Sequence, residues 1–370
     1  MEKITMDQRF RRGTRTFMLL ALSALALLLI AGCASTPVVS DGGGGTPGSA
    51  TATADYPEWY LNPQSVYPDD EFLTAVGTGD TRRDAEQQAL SGISQTFEAQ
   101  VSVDSRTSER YRELMSAEGT MSETEIRLAE DTSVESNQTL LNVQYGEAAV
   151  DEQGRVHVIA YLERLPTSQV YRDLITRNGR QVDRFLTEAE ESDGIIREYA
   201  YTSAAAVVAS SNEVLIDQLN IIVPGMARTV QLPYVFDDVI QRRADIASRM
   251  GVSVSVAGDT DGRVTSILRQ ALSDERFPLV DSGSTLSVEG VISINEIPSN
   301  ADFQSVRWTV SLGMIGPDGR SLVNYDEENR ASGISQEAAR AFAYQDIEEA
   351  VSRDFVSAMR GYFDGLVLQN

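Results

Sequence analysis

The hydrophobic pattern of the chain changes period several times, and each change marks an element. Residues 72–76, Phe-Leu-Thr-Ala-Val, read as a strand that runs into Gly77-Thr78-Gly79-Asp80. Thr81 then caps a helix, with Asp84 at its third position, and Ala85, Ala89, Ile93 and Phe97 place one apolar stripe along it. Residues 109–128 form a polar excursion expected to be helical. Residues 139–150 and 155–163 read as two strands around the turn Asp151-Glu152-Gln153-Gly154. Val156, Val158, Ala160 and Leu162 share one face of the second strand, and His157, Ile159 and Tyr161 the other.

Two helices follow, one from Pro166 towards Glu191 with an expected break at Asn178-Gly179, and one from about Ile195 to Asn220, rich in alanine at its centre. Beyond Asp237 strand signals return at 252–256, 276–281, 286–294, 306–314 and 321–325, with a helix at 263–273. Ile347, Val351, Phe355, Met359 and Phe363 recur at strict fours, a stripe suited to covering a sheet. The fold class expected is α+β: two small antiparallel-sheet-plus-helix domains joined by helices, after a disordered tether. The boundaries expected are 1–32 leader, 33–55 tether, 56–165 first domain, 166–236 helical connector and 237–370 second domain.

The N-terminus has a different character. Arg9, Arg11, Arg12 and Arg15 precede an apolar run over residues 17–31 in which only Ser23 is polar, and then come Gly32 and Cys33. That order is the one of an export signal, and the run is short of the roughly 20 residues a spanning helix needs. Ile30-Ala31-Gly32-Cys33 resembles the lipobox of bacterial lipoproteins, in which small residues admit the peptidase and the cysteine thiol is acylated at the membrane surface. The resemblance implies lipidation of Cys33, an anchor of two or three acyl chains, and an extracytoplasmic protein. Ala34 in place of aspartate points to the outer membrane, facing the periplasm. Residues 34–55, mostly Ser, Thr, Gly, Pro and Ala, make a tether with a reach of roughly 25 Å.

Charge and composition narrow the chemistry. The formal net charge is −24, and the acid excess grows once the basic leader is removed, so nucleic acid is not an expected partner. A single cysteine excludes an internal disulfide and a Cys-rich zinc site, and with one histidine, no metal-ligand spacing and no serine elbow, no catalytic residue, cofactor or metal is expected. His157 stands alone on its strand and reads as structural. Gly77-Thr78-Gly79 lacks the third glycine of a dinucleotide fingerprint, where Arg82 stands, and a tight turn with positive φ is the expected reason for the two glycines.

Pro57-Glu58-Trp59, then Tyr67-Pro68-Asp69-Asp70-Glu71-Phe72-Leu73, then Val76-Gly77-Thr78-Gly79 and the helix with Ala85, Ala89 and Leu90 resemble the LPP-twenty type of outer-membrane lipoprotein over residues 56–165. The resemblance implies an envelope lipoprotein and brings no catalytic residue. Phe277-Pro278-Leu279-Val280 and Val288-Glu289-Gly290, with the strand order around them, resemble the N-terminal domain of the periplasmic protein TolB and the middle domain of the flagellar assembly protein T. The function expected is a non-enzymatic binding or scaffold component with an envelope protein partner, at the flagellar basal body, peptidoglycan-linked machinery or an export complex. The alternatives are a carboxylate-dependent envelope hydrolase, for which Asp69, Asp70, Glu71, Glu188, Glu190 and Glu191 read instead as solvated faces, and a carrier of an apolar ligand.

Overall fold

The computed structural model describes residues 57–101, 104–117, 140–298 and 303–368, all within the compact unit Ala54–Asn370. The leader, the lipobox with Cys33, the tether, and residues 118–128 of the polar excursion lie outside the described residues.

Two short helices, α1 (Glu58–Leu61) and α2 (Pro63–Val66), precede β1 (Phe72–Gly79) and α3 (Arg82–Glu98). Thr81 closes a reciprocal capping box with Asp84, satisfying two backbone donors at the start of α3. The polar excursion begins with α4 (Ser105–Ala117), and β2 (Gln144–Val150) and β3 (Val156–Glu163) complete a three-stranded antiparallel sheet of order β1-β3-β2. Asp151 N donates to Arg155 O and Gly154 N to Asp151 O, with Gly154 at φ 81, so the expected hairpin turn forms.

Gly77 and Gly79 have a different role from the one expected. Both lie within extended β1, not at positive φ. A Cβ on Gly77 would overlap Ala85 O and Ala89 N, and one on Gly79 would stand 2.7 Å from Ala85 N. The glycines let α3 lie against the strand backbone, and Ala85 and Ala89 on the helix supply the other half of that approach.

Two helices of 28 residues each, α5 (Arg164–Glu191) and α6 (Ile195–Ile222), form an antiparallel hairpin about 42 Å long. Ser192-Asp193-Gly194 joins them, with Gly194 at φ 94. α5 does not break at Asn178-Gly179. Asn178 Oδ1 accepts from Tyr111 Oη, and Gly179 makes room for Leu232 and Pro233. The hairpin feeds both ends of the molecule. Tyr171, Leu174 and Ile175 of α5 and Leu219 and Ile222 of α6 pack with α3 and β3, while Val182 and Phe185 and the stretch from Tyr199 to Ala209 pack under the second sheet. Asn178 and Asn212 form a polar layer between the two cores, Asn212 Nδ2 donating to Ile175 O and Tyr234 Oη. At the first sheet, Arg164 donates to Ile221 O and Ile222 O, capping the C-terminus of α6, and to Asp69 O and Phe72 O.

The second sheet follows α7 (Phe236–Ser248) and has the order β4-β5-β6-β7: Val252–Ala257, Leu286–Ile297, Gln304–Ile315 and Ser321–Gly333. β5, β6 and β7 are antiparallel neighbours, and β4 joins β5 in parallel because α8 (Arg263–Asp274) carries the chain back between them. The strand expected at 276–281 is reduced to one bridge, Leu279 to Val252, since Arg276 sits at φ 69 and Pro278 has no donor. Leu286, Val288, Ile292, Val306, Trp308, Val310, Leu312 and Met314 point inward as their alternation requires.

The final helix is three pieces, α9 (Gln336–Glu349), a π-helical segment (Ala350–Phe355) and α10 (Val356–Leu368). Residues four apart advance about 400° around an α-helix, so a stripe at strict fours drifts about 40° per step. The wider π turn absorbs part of that drift, and all five stripe residues from Ile347 to Phe363 are buried. Among the described residues no helix is long and apolar enough to cross a membrane. α6, the more apolar of the two long helices, is packed against α4, α5, α7 and α10.

Candidate functional site

Cys33, Ile30, Ala31 and Gly32, the residues to which the sequence assigns a chemical role, lie outside the described residues. Three polar arrangements within the described residues remain.

The first surrounds His157. Aromatic side chains of α1 and of the residue after α2 fold over the β3 face that carries His157, Ile159 and Tyr161: Trp59 is buried against Ile159, Tyr60 meets the His157 ring at 4.7 Å between centroids, and Tyr67 meets Tyr161 at 4.9 Å. The imidazole is held at both nitrogens, Nδ1 standing 2.9 Å from Thr78 Oγ1 and Nε2 3.0 Å from Asp151 Oδ2. Asp151 Oδ1 also accepts from the backbone N–H of Gln153 and of Arg155, and its Oδ2 from Arg155 Nε. The hydrogen bond from His157, joined by those from Arg155, holds the carboxyl down at about 2. A carboxylate committed to four donors, an imidazole covered by a tyrosine and a β-branched hydroxyl within a strand form a belt tying β1, β3 and the hairpin turn together. The sequence shows His157 and the turn; that Asp151 and Thr78 converge on one ring follows from the register Thr78 opposite His157.

The second is a recess of about 720 Å³ at the open end of the hairpin, walled by Leu165, Pro166, Ile222 and Pro224 on one side and by Asp69, Asp70 and Glu71 on the other. Asp69, Asp70 and Glu71 are exposed, as are Glu190 and Glu191 at the far end of α5, whereas Glu188 is half-buried.

The third is a charged groove of about 740 Å³ bounded by α4, α6, α7, the end of α8 and the π segment with α10. Arg110 Nε donates to Asp364 Oδ2 at 2.8 Å and Arg110 Nη2 to Ser203 Oγ at 3.2 Å. Glu275, buried, accepts from Arg360 Nε at 3.0 Å on one oxygen and from Arg243 Nη2 at 3.0 Å on the other. Burial of the Tyr199 hydroxyl next to Arg243 and Glu275 raises its pKa. Nothing in the sequence marks this groove, because its charged groups come from segments more than 250 residues apart. Among the described residues no group of three His, Cys, Asp or Glu side chains is placed to hold a metal ion.

Residues 57–163 match the model of the LPP20 lipoprotein family. No curated protein matches the chain. Among the solved structures that align with it are two at 11% identity each: the secreted protein HP1454 from Helicobacter pylori, over 78% of this chain and 97% of that one with a TM-score of 0.38, and a minor lipoprotein from Acinetobacter baumannii, over 31% and 90% with a TM-score of 0.23. At those scores neither alignment establishes a shared fold. The segment that begins at α1 and ends with β3 is thus similar to the LPP20 lipoproteins, and an envelope lipoprotein is the class of protein that the match supports.

Proposed function

We propose that the chain is exported, cleaved before Cys33 and anchored by acyl chains on that cysteine at the outer membrane, facing the periplasm. There it acts as a non-enzymatic binding or scaffold component for another envelope protein. The observation that carries this reading is the position of the single cysteine, behind an apolar run of export-signal length and ahead of the segment that matches the LPP20 lipoprotein family. The division of the sequence supports the same reading: a 33–55 tether, then a 56–165 domain, a 166–236 helical connector and a 237–370 domain, all held within a short reach of the membrane. The acidic balance keeps them soluble and unattracted to anionic headgroups, so attachment rests on the lipid.

Labelling with a fatty acid, followed by fractionation, tests the anchor. The wild type takes the label and sediments with membranes, and Cys33→Ala takes none and moves to the soluble envelope fraction. An unlabelled wild type, or a membrane-bound Cys33→Ala protein, overturns it. Crosslinking in cells tests the scaffold role: a partner captured by the wild type and lost with Cys33→Ala is the expected result, and purified protein that degrades peptidoglycan would replace it with the hydrolase alternative.

A further inference from the structure

The charged groove is built differently from a set of surface ion pairs. On its floor, one carboxylate, Glu275, serves two guanidinium groups, Arg243 and Arg360, while Arg110 and Asp364 neutralise each other. The floor therefore keeps one uncompensated positive charge in a chain of net charge −24. Glu275 retains 9% of its side-chain exposure and Arg110 and Asp364 13% each, so these charges sit where solvent screens them poorly. Around the mouth acids outnumber bases: Asp104, Glu109 and Glu113 of the α4 segment and Asp274 at the end of α8 are exposed and line the groove with Arg106 and with Arg353, which pairs with Glu349 and Asp354. Hydroxyls of Thr107, Ser210, Ser352 and Ser357 complete the walls, and Ala206, Val207 and Gly361 are the apolar lining.

An anionic group is complementary to the floor and a cationic one to the rim. The small apolar lining offers no channel for acyl chains, which favours a wholly polar ligand over a lipid. The volume lies in the range of pockets that enclose small ligands. Ser352 and Arg353 on one wall belong to the π segment, and π turns recur where a helix is adapted to a site. We infer that the groove binds small zwitterions of the amino-acid or short-peptide class, the carboxylate received by Arg243 and Arg360 and the ammonium group turned to the rim carboxylates. Bidentate guanidinium–carboxylate pairing supplies the orientation.

Isothermal titration of the full chain, in detergent micelles, with trialanine, N-acetyl-trialanine and trialanine amide tests this. Trialanine binds with a Kd below ~1 mM, and blocking either terminus weakens binding about tenfold. Asp274→Asn, a change at an exposed position outside the buried pairs, weakens trialanine about tenfold and leaves N-acetyl-trialanine as it was. Arg360→Gln, with folding checked by circular dichroism, loses both. The inference is overturned if trialanine gives no saturable heat, if the three peptides bind alike, if Asp274→Asn changes nothing, or if phosphoethanolamine binds where trialanine does not, which would assign the groove to a lipid headgroup.

Discussion

Arg110 of α4 and Asp364 of α10 are 254 positions apart in the chain and pair within hydrogen-bond distance, with Nε–Oδ2 at 2.8 Å. This contact fastens a helix of the LPP20 segment to the last helix of the protein, and Leu114 and Met115 one turn on are buried in the core under the second sheet. Since both partners are largely buried, removing one strands the other. Asp364→Ala costs about 3 kcal/mol of unfolding free energy in urea, whereas replacing both residues with Leu and Met costs far less. Equal losses in the single and double variants would contradict this.

Gly77→Ala forces a methyl group into the backbone of α3, and neither Ala85 O nor Ala89 N can yield without moving the helix. Thermal or urea unfolding is expected to show a loss of about 3 kcal/mol. Gly154→Ala, in open space at φ 81, costs only the ~1 kcal/mol of a left-handed alanine.

The Asp151 belt gives the first sheet an acid limit. Its folded-state pKa lies below the ordinary carboxylate value, so its contribution is complete above about pH 4 and disappears as the pH falls through about 2. Hydrogen-exchange protection of the amides of Gln153 and Arg155, taken relative to an unfolded chain at the same pH, should fall across that window in the wild type. Asp151→Asn should exchange faster already at neutral pH and show no further step between about pH 4 and 2.

Deleting Ser352 would let the last helix run as a regular α-helix, and the seven steps of about 100° then left between Ile347 and Phe355 keep Phe355, Met359 and Phe363 close to their present direction relative to Ile347. All four are buried and stay on one face, so the deletion should keep cooperative unfolding, and Ser352→Ala should be near neutral. A deletion variant that unfolds without cooperativity would mean that the stripe depends on the π turn.

Most elements were legible because they depend on short-range pattern. The Thr81–Asp84 cap, the Asp151–Gly154 turn, the alternation from Val306 to Met314 and the stripe from Ile347 to Phe363 all record local geometry. The strict spacing of that stripe even contained the π segment, read at first as a plain helix. Misreadings fell where a neighbour distant in sequence decided the outcome. Gly77 and Gly79 look like turn residues until α3 is laid on them. Asn178-Gly179 looks like a break until Tyr111, Leu232 and Pro233 occupy it. A helix between β4 and β5 fixes their parallel pairing, which alternation alone does not reveal.

The sequence by itself carries the proposed address, since an export signal and a cysteine placed for acylation are recognised as an extended stretch whose meaning lies in residue order. It determined the α+β class and the LPP20 segment for the same reason. Only the tertiary structure decided that α5 and α6 supply both cores, and that Arg110, Arg243, Glu275, Arg360 and Asp364 share one groove. Charges on separate helices carry no record of one another in the chain; packing brings them within a few ångströms and removes the water between them, and at that distance their pairing acquires direction.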